Sequence, residues 1–161
     1  MRTGVKPFSD AYEEYLHDES RTVGRADEIC FAKTEADVRD ALTAGKFVTI
    51  QGARTGITAG AVPDGGLVLN VAGMKRIGEV EGDSITVEPG ASLAEVCQKV
   101  SSKGFFFPPD PTETSASLGG MLACNASGAM SYHYGPTRNW VRALRVVLAD
   151  GDVLHVRRGA T

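Results

Sequence analysis

The sequence predicts a chain that mixes strands and helices, α/β in its first part and hairpin-built in the rest. Three observations point there. A strand, a helix and a second strand succeed one another over residues 29–50. After Pro63-Asp-Gly-Gly66 the apolar residues start to alternate, as in strands with one wet face. Near the end, Asp150-Gly151 lies between two alternating runs, a strong hairpin signal. With 161 residues the chain can bury one core, or form two small lobes that share one.

Residues 1–28 read as a short helix and an extended arm, or equally as surface; they hold an acidic, aromatic stretch from Tyr12 to Ser20 and then a polar, arginine-bearing piece. Ile29-Cys-Phe-Ala32 is the first strand. Thr34 can cap a helix whose acidic Glu35 and Asp37 suit its positive end. Val38, Ala41 and Leu42 give that helix an i, i+3, i+4 stripe, and Gly45 offers its stop. With the run Phe47-Val48-Thr49-Ile50 this makes one βαβ unit, expected to give a parallel pair of strands.

At the carboxyl end of that second strand, where open α/β sheets hold ligands, stands Gln51-Gly-Ala-Arg-Thr-Gly-Ile-Thr-Ala-Gly60. Glycine there allows positive φ and leaves room for a ligand, so that successive N–H groups can point at one anion. The alternative is an ordinary glycine-rich loop. Gly52, Gly56 and Gly60 recur every fourth residue, which is neither the dinucleotide fingerprint nor a Walker loop.

Leu67-Val-Leu-Asn70 is a further strand. Residues 76–80 and 84–88 flank Glu81-Gly-Asp83 as a hairpin, and Pro89-Gly90 stops it. Ser92 and Glu95 form a capping box for a helix with Leu93, Val96, Cys97 and Val100 on one face and Gly104 as its terminator. Cys97 is therefore read as core. In residues 105–128 the prolines hold the chain extended, and Ser115 and Ser117 precede a short helical run with a double glycine. This is a second anion-compatible segment or a rigid connector. Residues 132–140 read as a polar-aromatic loop, and the chain ends in the Asp150-Gly151 hairpin with no closing helix, as expected of a piece of something longer.

Composition narrows the classes. Apolar and charged fractions are those of a soluble globular protein. A formal net charge of −3 without clustered Lys and Arg argues against nucleic acid. No apolar run approaches the roughly 20 residues that span a bilayer, and residues 1–19 lack a signal-peptide core, so a cytoplasmic location is expected. Cys30, Cys97 and Cys124 show no CxxC spacing, and reduced thiols are the simplest reading. No metal site is expected from them or from His17, His133 and His155. Glycine is the anomaly, 19 residues in all against a usual share of ~7%. Many fall in residues 52–66 and 119–135, two segments that could converge on one nucleotide.

Six pieces in order carry a family resemblance: Gly52-Ala-Arg-Thr-Gly56, Pro-Pro-Asp-Pro at 108–111, Ser-Leu-Gly-Gly at 117–120, Asn125-Ala-Ser-Gly128, Tyr134-Gly-Pro-Thr-Arg138 and Leu-Ala-Asp-Gly at 148–151. From about residue 20 onward the chain resembles the PCMH-type FAD-binding domain of the vanillyl-alcohol oxidase superfamily, in the branch of the glycolate oxidase and D-lactate dehydrogenase flavoproteins. The resemblance implies a two-lobed α+β domain, a small βαβ lobe within residues 1–72 and a larger lobe of antiparallel strands and flanking helices in 73–161, with FAD between them. It implies that Gly52, Ala53, Arg54, Thr55 and Gly56 give backbone N–H groups to the pyrophosphate. It further implies that Pro109, Asp110, Ser115, Ser117, Gly119, Asn125 and Gly128 line the flavin and ribityl chain. Gly56 is expected at positive φ and beside the phosphates, so Gly56→Val should cost FAD affinity through strain and through a side chain that blocks phosphate approach.

Some relatives carry a covalently attached flavin on a histidine where Thr55 stands here, so FAD is expected to be non-covalent. The resemblance implies hydride transfer from a 2-hydroxy acid such as D-lactate or glycolate to flavin N5. The cofactor carries that chemistry. It also places the small-molecule substrate pocket in a C-terminal cap domain or partner subunit absent from this chain, which could make the protein membrane-peripheral. No catalytic residue is nominated; His133 is read as a surface loop histidine. Two other readings stand beside this one: an FAD-binding or assembly module inactive alone, and a superfamily member acting on a different alcohol substrate.

Overall fold

Two capping boxes set the helices. Thr34 Oγ1 accepts the Asp37 amide while Asp37 Oδ2 accepts the Thr34 amide, opening α1 (Glu35–Leu42). Ser92 and Glu95 do the same for α2 (Leu93–Ser101). The computed structural model describes residues 4–44 and 47–159; Gly45, expected to stop α1, lies outside them.

The first sheet has strands β1 (Val5–Pro7), β2 (Glu28–Phe31), β3 (Val48–Gln51) and β4 (Leu67–Asn70) in the order β1-β2-β4-β3. The expected pairing of the βαβ strands is corrected here. β2 and β3 run parallel, but β4 lies between them and bonds both. The reason is burial: all four residues of β4 are buried, so it takes the centre, whereas Ile50 of β3 stays exposed at the edge. β1, antiparallel to β2, carried no sequence signal. The acidic stretch forms a 3-10 helix (Asp10–Leu16), and its Tyr12 and Tyr15 pack their rings on Phe31.

The second part holds the hairpin β5 (Ile77–Glu81) and β6 (Ser84–Val87), then α2, α3 (Leu118–Ala123) and α4 (Ser131–Tyr134). A second hairpin joins β7 (Ala143–Val147) to β8 (Val153–Arg157). Residues 132–140, expected as loop, are helical for the most part, since α4 is followed by a 3-10 turn at Thr137–Trp140. One apolar cluster draws on residues 5–74 and two others on residues 77–126. The architecture is α+β. The β7–β8 hairpin touches both parts: Arg145 pairs with Glu35 of α1, Arg39 Nε donates to the Gly151 carbonyl at 2.7 Å, and Arg142 pairs with Asp83 beyond β5. Among the described residues no helix is long and apolar enough to cross a membrane.

Candidate functional site

β3 ends in Gln51, and the chain turns away from the sheet at Gly52. Gln51 is fully buried and its Nε2 donates to the carbonyls of Tyr15 (2.8 Å) and Ala61 (2.7 Å), closing the base of the turn. Asn70, at the end of β4, donates to the Gly52 carbonyl at 3.4 Å. Above these anchors the amides of Arg54, Thr55, Gly56, Ile57 and Thr58 donate to no group among the described residues. Consecutive free amides are the donor set an anion requires.

Ser117 brings the second segment to the first. It is 3% exposed, and its Oγ accepts the Ala53 amide at 3.3 Å and the Gly120 amide at 3.4 Å. The second of these caps α3. The hydroxyl proton has no acceptor among the described residues. The approach is so close that a Cβ on Gly52 would lie 2.1 Å from Ser117 Oγ. Gly52, Ala53 and Ser117 therefore stand together.

The remaining residues of the second segment serve mainly to pack it. Gly119 donates its amide to the Pro89 carbonyl. Gly128 lies against Asp110, whose carbonyl oxygen would sit 1.5 Å from a Gly128 Cβ. Asn125 is left-handed, with φ +48°, and its Oδ1 accepts the Arg138 amide at 3.1 Å. Ser115 is exposed, its amide bonded to Glu113. Pro109 is buried, and with Asp110, Cys97, Phe106, Phe107 and Met130 it lines an apolar groove of about 300 Å³. Burial, with the Asp110 charge behind it, pushes the Cys97 thiol up.

Two expectations about the first turn change. Positive φ falls on Arg54 (+60°) and Ala59 (+59°), and Gly56 is not in that region. A Cβ on Gly56 would find its nearest neighbour, Asp18 Oδ2, at 3.8 Å, so the argument from strain at Gly56 lapses. The Arg54 side chain turns back to the N-terminal arm, bonded to Glu14 at 3.0 Å and stacked 4.3 Å over Tyr15. Gln51, Asn70 and Asp18 were missed in the sequence; a polar residue closing an apolar strand, as Gln51 and Asn70 both do, was the available signal. His133 is exposed on α4, its ring edge against Tyr134.

The family model described as an FAD binding domain matches residues 26–157. A D-lactate dehydrogenase of Anaerostipes hadrus is 35% identical over 158 residues, covering 92% of this chain and 33% of that protein. The glycolate oxidase subunit GlcD of Bacillus subtilis is 39% identical over 108 residues, 65% of this chain and 23% of its own length. Among solved structures, 6-hydroxy-D-nicotine oxidase of Arthrobacter nicotinovorans superposes with a TM-score of 0.83 at 19% identity, covering 96% of this chain and 36% of that one. Chitooligosaccharide oxidase gives 0.81 at 20% identity, covering 93% and 34%. The chain spans about a third of the length of such relatives.

Proposed function

The chain belongs to the FAD-binding domain family, and on that premise we propose that it holds FAD non-covalently within an oxidoreductase acting on a 2-hydroxy acid such as D-lactate or glycolate. The observation that carries the site is the run of free amides from Arg54 to Thr58, beside the buried hydroxyl of Ser117. Gly52, Ala53, Arg54, Thr55 and Gly56 are assigned to the pyrophosphate. Consecutive free donors at Arg54, Thr55 and Gly56 and a hydroxyl proton in reach at Ser117 suit a diphosphate that brings only acceptors. Pro109, Asp110, Ser115, Ser117, Gly119, Asn125 and Gly128 are assigned to the flavin and ribityl side, on the support that Ser117 already touches the first turn. The packing of Gly119 and Gly128 keeps that wall rigid.

Thr55 offers no imidazole for covalent attachment, which supports the non-covalent assignment. When bound, FAD supplies the hydride-accepting N5; these residues orient it and exclude water from its phosphates. The choice of a hydroxy acid rests on relatives named for D-lactate and glycolate. The substrate pocket and its base are assigned to protein outside these residues, a cap domain or a partner subunit, on the support that the relatives are about three times as long. The division into lobes 1–72 and 73–161 draws its support from the separate apolar clusters.

An absorption spectrum before and after adding FAD, and again after acid precipitation, tests the reading. Yellow protein that releases its flavin to the supernatant is expected. Colourless protein that takes up no FAD overturns the site and leaves an assembly role; flavin retained in the pellet overturns non-covalent binding.

A further inference from the structure

Beneath the first turn, Asp18 Oδ2 and Gln51 Oε1 are buried acceptors that meet no donor among the described residues. Asp18 is 5% exposed. Its Oδ1 accepts the Ser20 amide at 2.9 Å, which holds the side chain in place. Burial would raise its pKa, but the pull of Ser20 and of the nearby Ala61 amide outweighs it and holds the carboxyl below the usual range, so it is charged at neutral pH. No ion pair neutralises it among the described residues. Gln51 grips the same loop from the other side through the Ala61 carbonyl, which fixes its amide orientation. Asp18 Oδ2 and the turn are neighbours, 3.8 Å from where a Gly56 Cβ would stand.

A buried carboxylate oxygen with no donor at hydrogen-bond geometry keeps part of its desolvation cost, which the neighbouring Ala61 amide offsets in part. Its nearest remedy is the loop above it, where the amides of Ile57 and Thr58 donate to nothing described. We propose that Asp18 is a positioning residue for the phosphate turn: as the diphosphate takes the amides of Arg54, Thr55 and Gly56, an amide of the 57–60 stretch closes onto Asp18 Oδ2. The inference rests on the FAD reading above. It makes the turn a strip gripped from two sides, by the ligand on the outer amides and by a fixed carboxylate on the next. One loop conformation is thereby stabilised only when both grips are made.

A carboxylate near a diphosphate otherwise repels it, and that opposition makes the test one of sign. Asp18→Asn retains an oxygen for the Ser20 amide but places NH2 where Oδ2 needs a donor. The FAD Kd is expected to rise about tenfold, beyond what any loss of melting temperature in the FAD-free protein accounts for. An unchanged or lower Kd overturns the proposal, because loss of charge alone then accounts for the result. Should that variant fail to fold, amide hydrogen exchange on the unaltered protein decides. Protection gained within residues 57–60 on FAD addition is expected, and no gain there overturns it. Gly52→Ala separates the two levels. If it binds FAD as well as the unaltered protein, the site itself is wrong; if it weakens FAD and Asp18→Asn does not, only the role of Asp18 falls.

Discussion

From Arg54 to Thr58 five amides in succession donate to nothing in the described protein, whereas from Leu118 to Gly120 each amide is taken up, by Ala91, Pro89 and Ser117 in turn. The first lies within the glycine-bearing run 52–60 and the second within 117–128, and composition does not tell the two runs apart. In the first, left-handed φ falls on Arg54 and Ala59, at a cost of order 1–2 kcal/mol each. At Arg54 this is offset by the bond to Glu14 and the stack on Tyr15. In the second, Gly128 lets backbones meet closer than any side chain permits. The difference teaches that donor bookkeeping separates a binding turn from a packing turn.

The comparison breaks first at Gly128. Gly128→Ala forces a methyl to 1.5 Å from the Asp110 carbonyl, and overpacking against backbone is expected to cost about 3 kcal/mol. A melting curve checks it, and a near-native melting temperature would show that the second segment is loosely held. Gly52→Ala comes next. Its methyl would press on Ser117 Oγ at 2.1 Å; the hydroxyl yields more readily than a carbonyl, so about 2 kcal/mol is expected, most of it read as lost FAD affinity in a fluorescence titration.

Ser117→Ala removes the α3 cap and the acceptor of the Ala53 amide together. A loss of about 1 kcal/mol is expected, with weaker FAD binding alongside; loss of stability without loss of affinity would confine Ser117 to packing. Smallest is Gly56→Ala. With φ outside the left-handed region and no neighbour nearer than 3.8 Å, it is expected to change stability by less than about 0.5 kcal/mol. Denaturant midpoints for the pair Gly56→Ala and Gly128→Ala set the two uses of glycine side by side.

Much of the fold is legible in the residues. The cap Thr34 and the box Ser92/Glu95 predict both longer helices because a side chain and an amide three residues apart satisfy each other locally, and the structure adds Asp37 as the other half of a box at Thr34. The Asp150-Gly151 hairpin forms as read, with Gly151 at φ +84°. Strand order is not local, and β4 enters between β2 and β3 only because its four residues must be covered on both faces. The 3-10 helix of the arm and its seat on Phe31 depend likewise on contacts far along the chain.

At the site the division is the same. The positions of the glycine-rich turns and the order of the six motifs can be read along the chain, because turn chemistry and motif order need only neighbouring residues. Three facts cannot be read that way: which amides stay free, that Ser117 meets Ala53 across 64 residues, and that Asp18 lies buried under Gly56. They depend on which distant groups arrive to accept or donate, and burial sets that when separate segments pack.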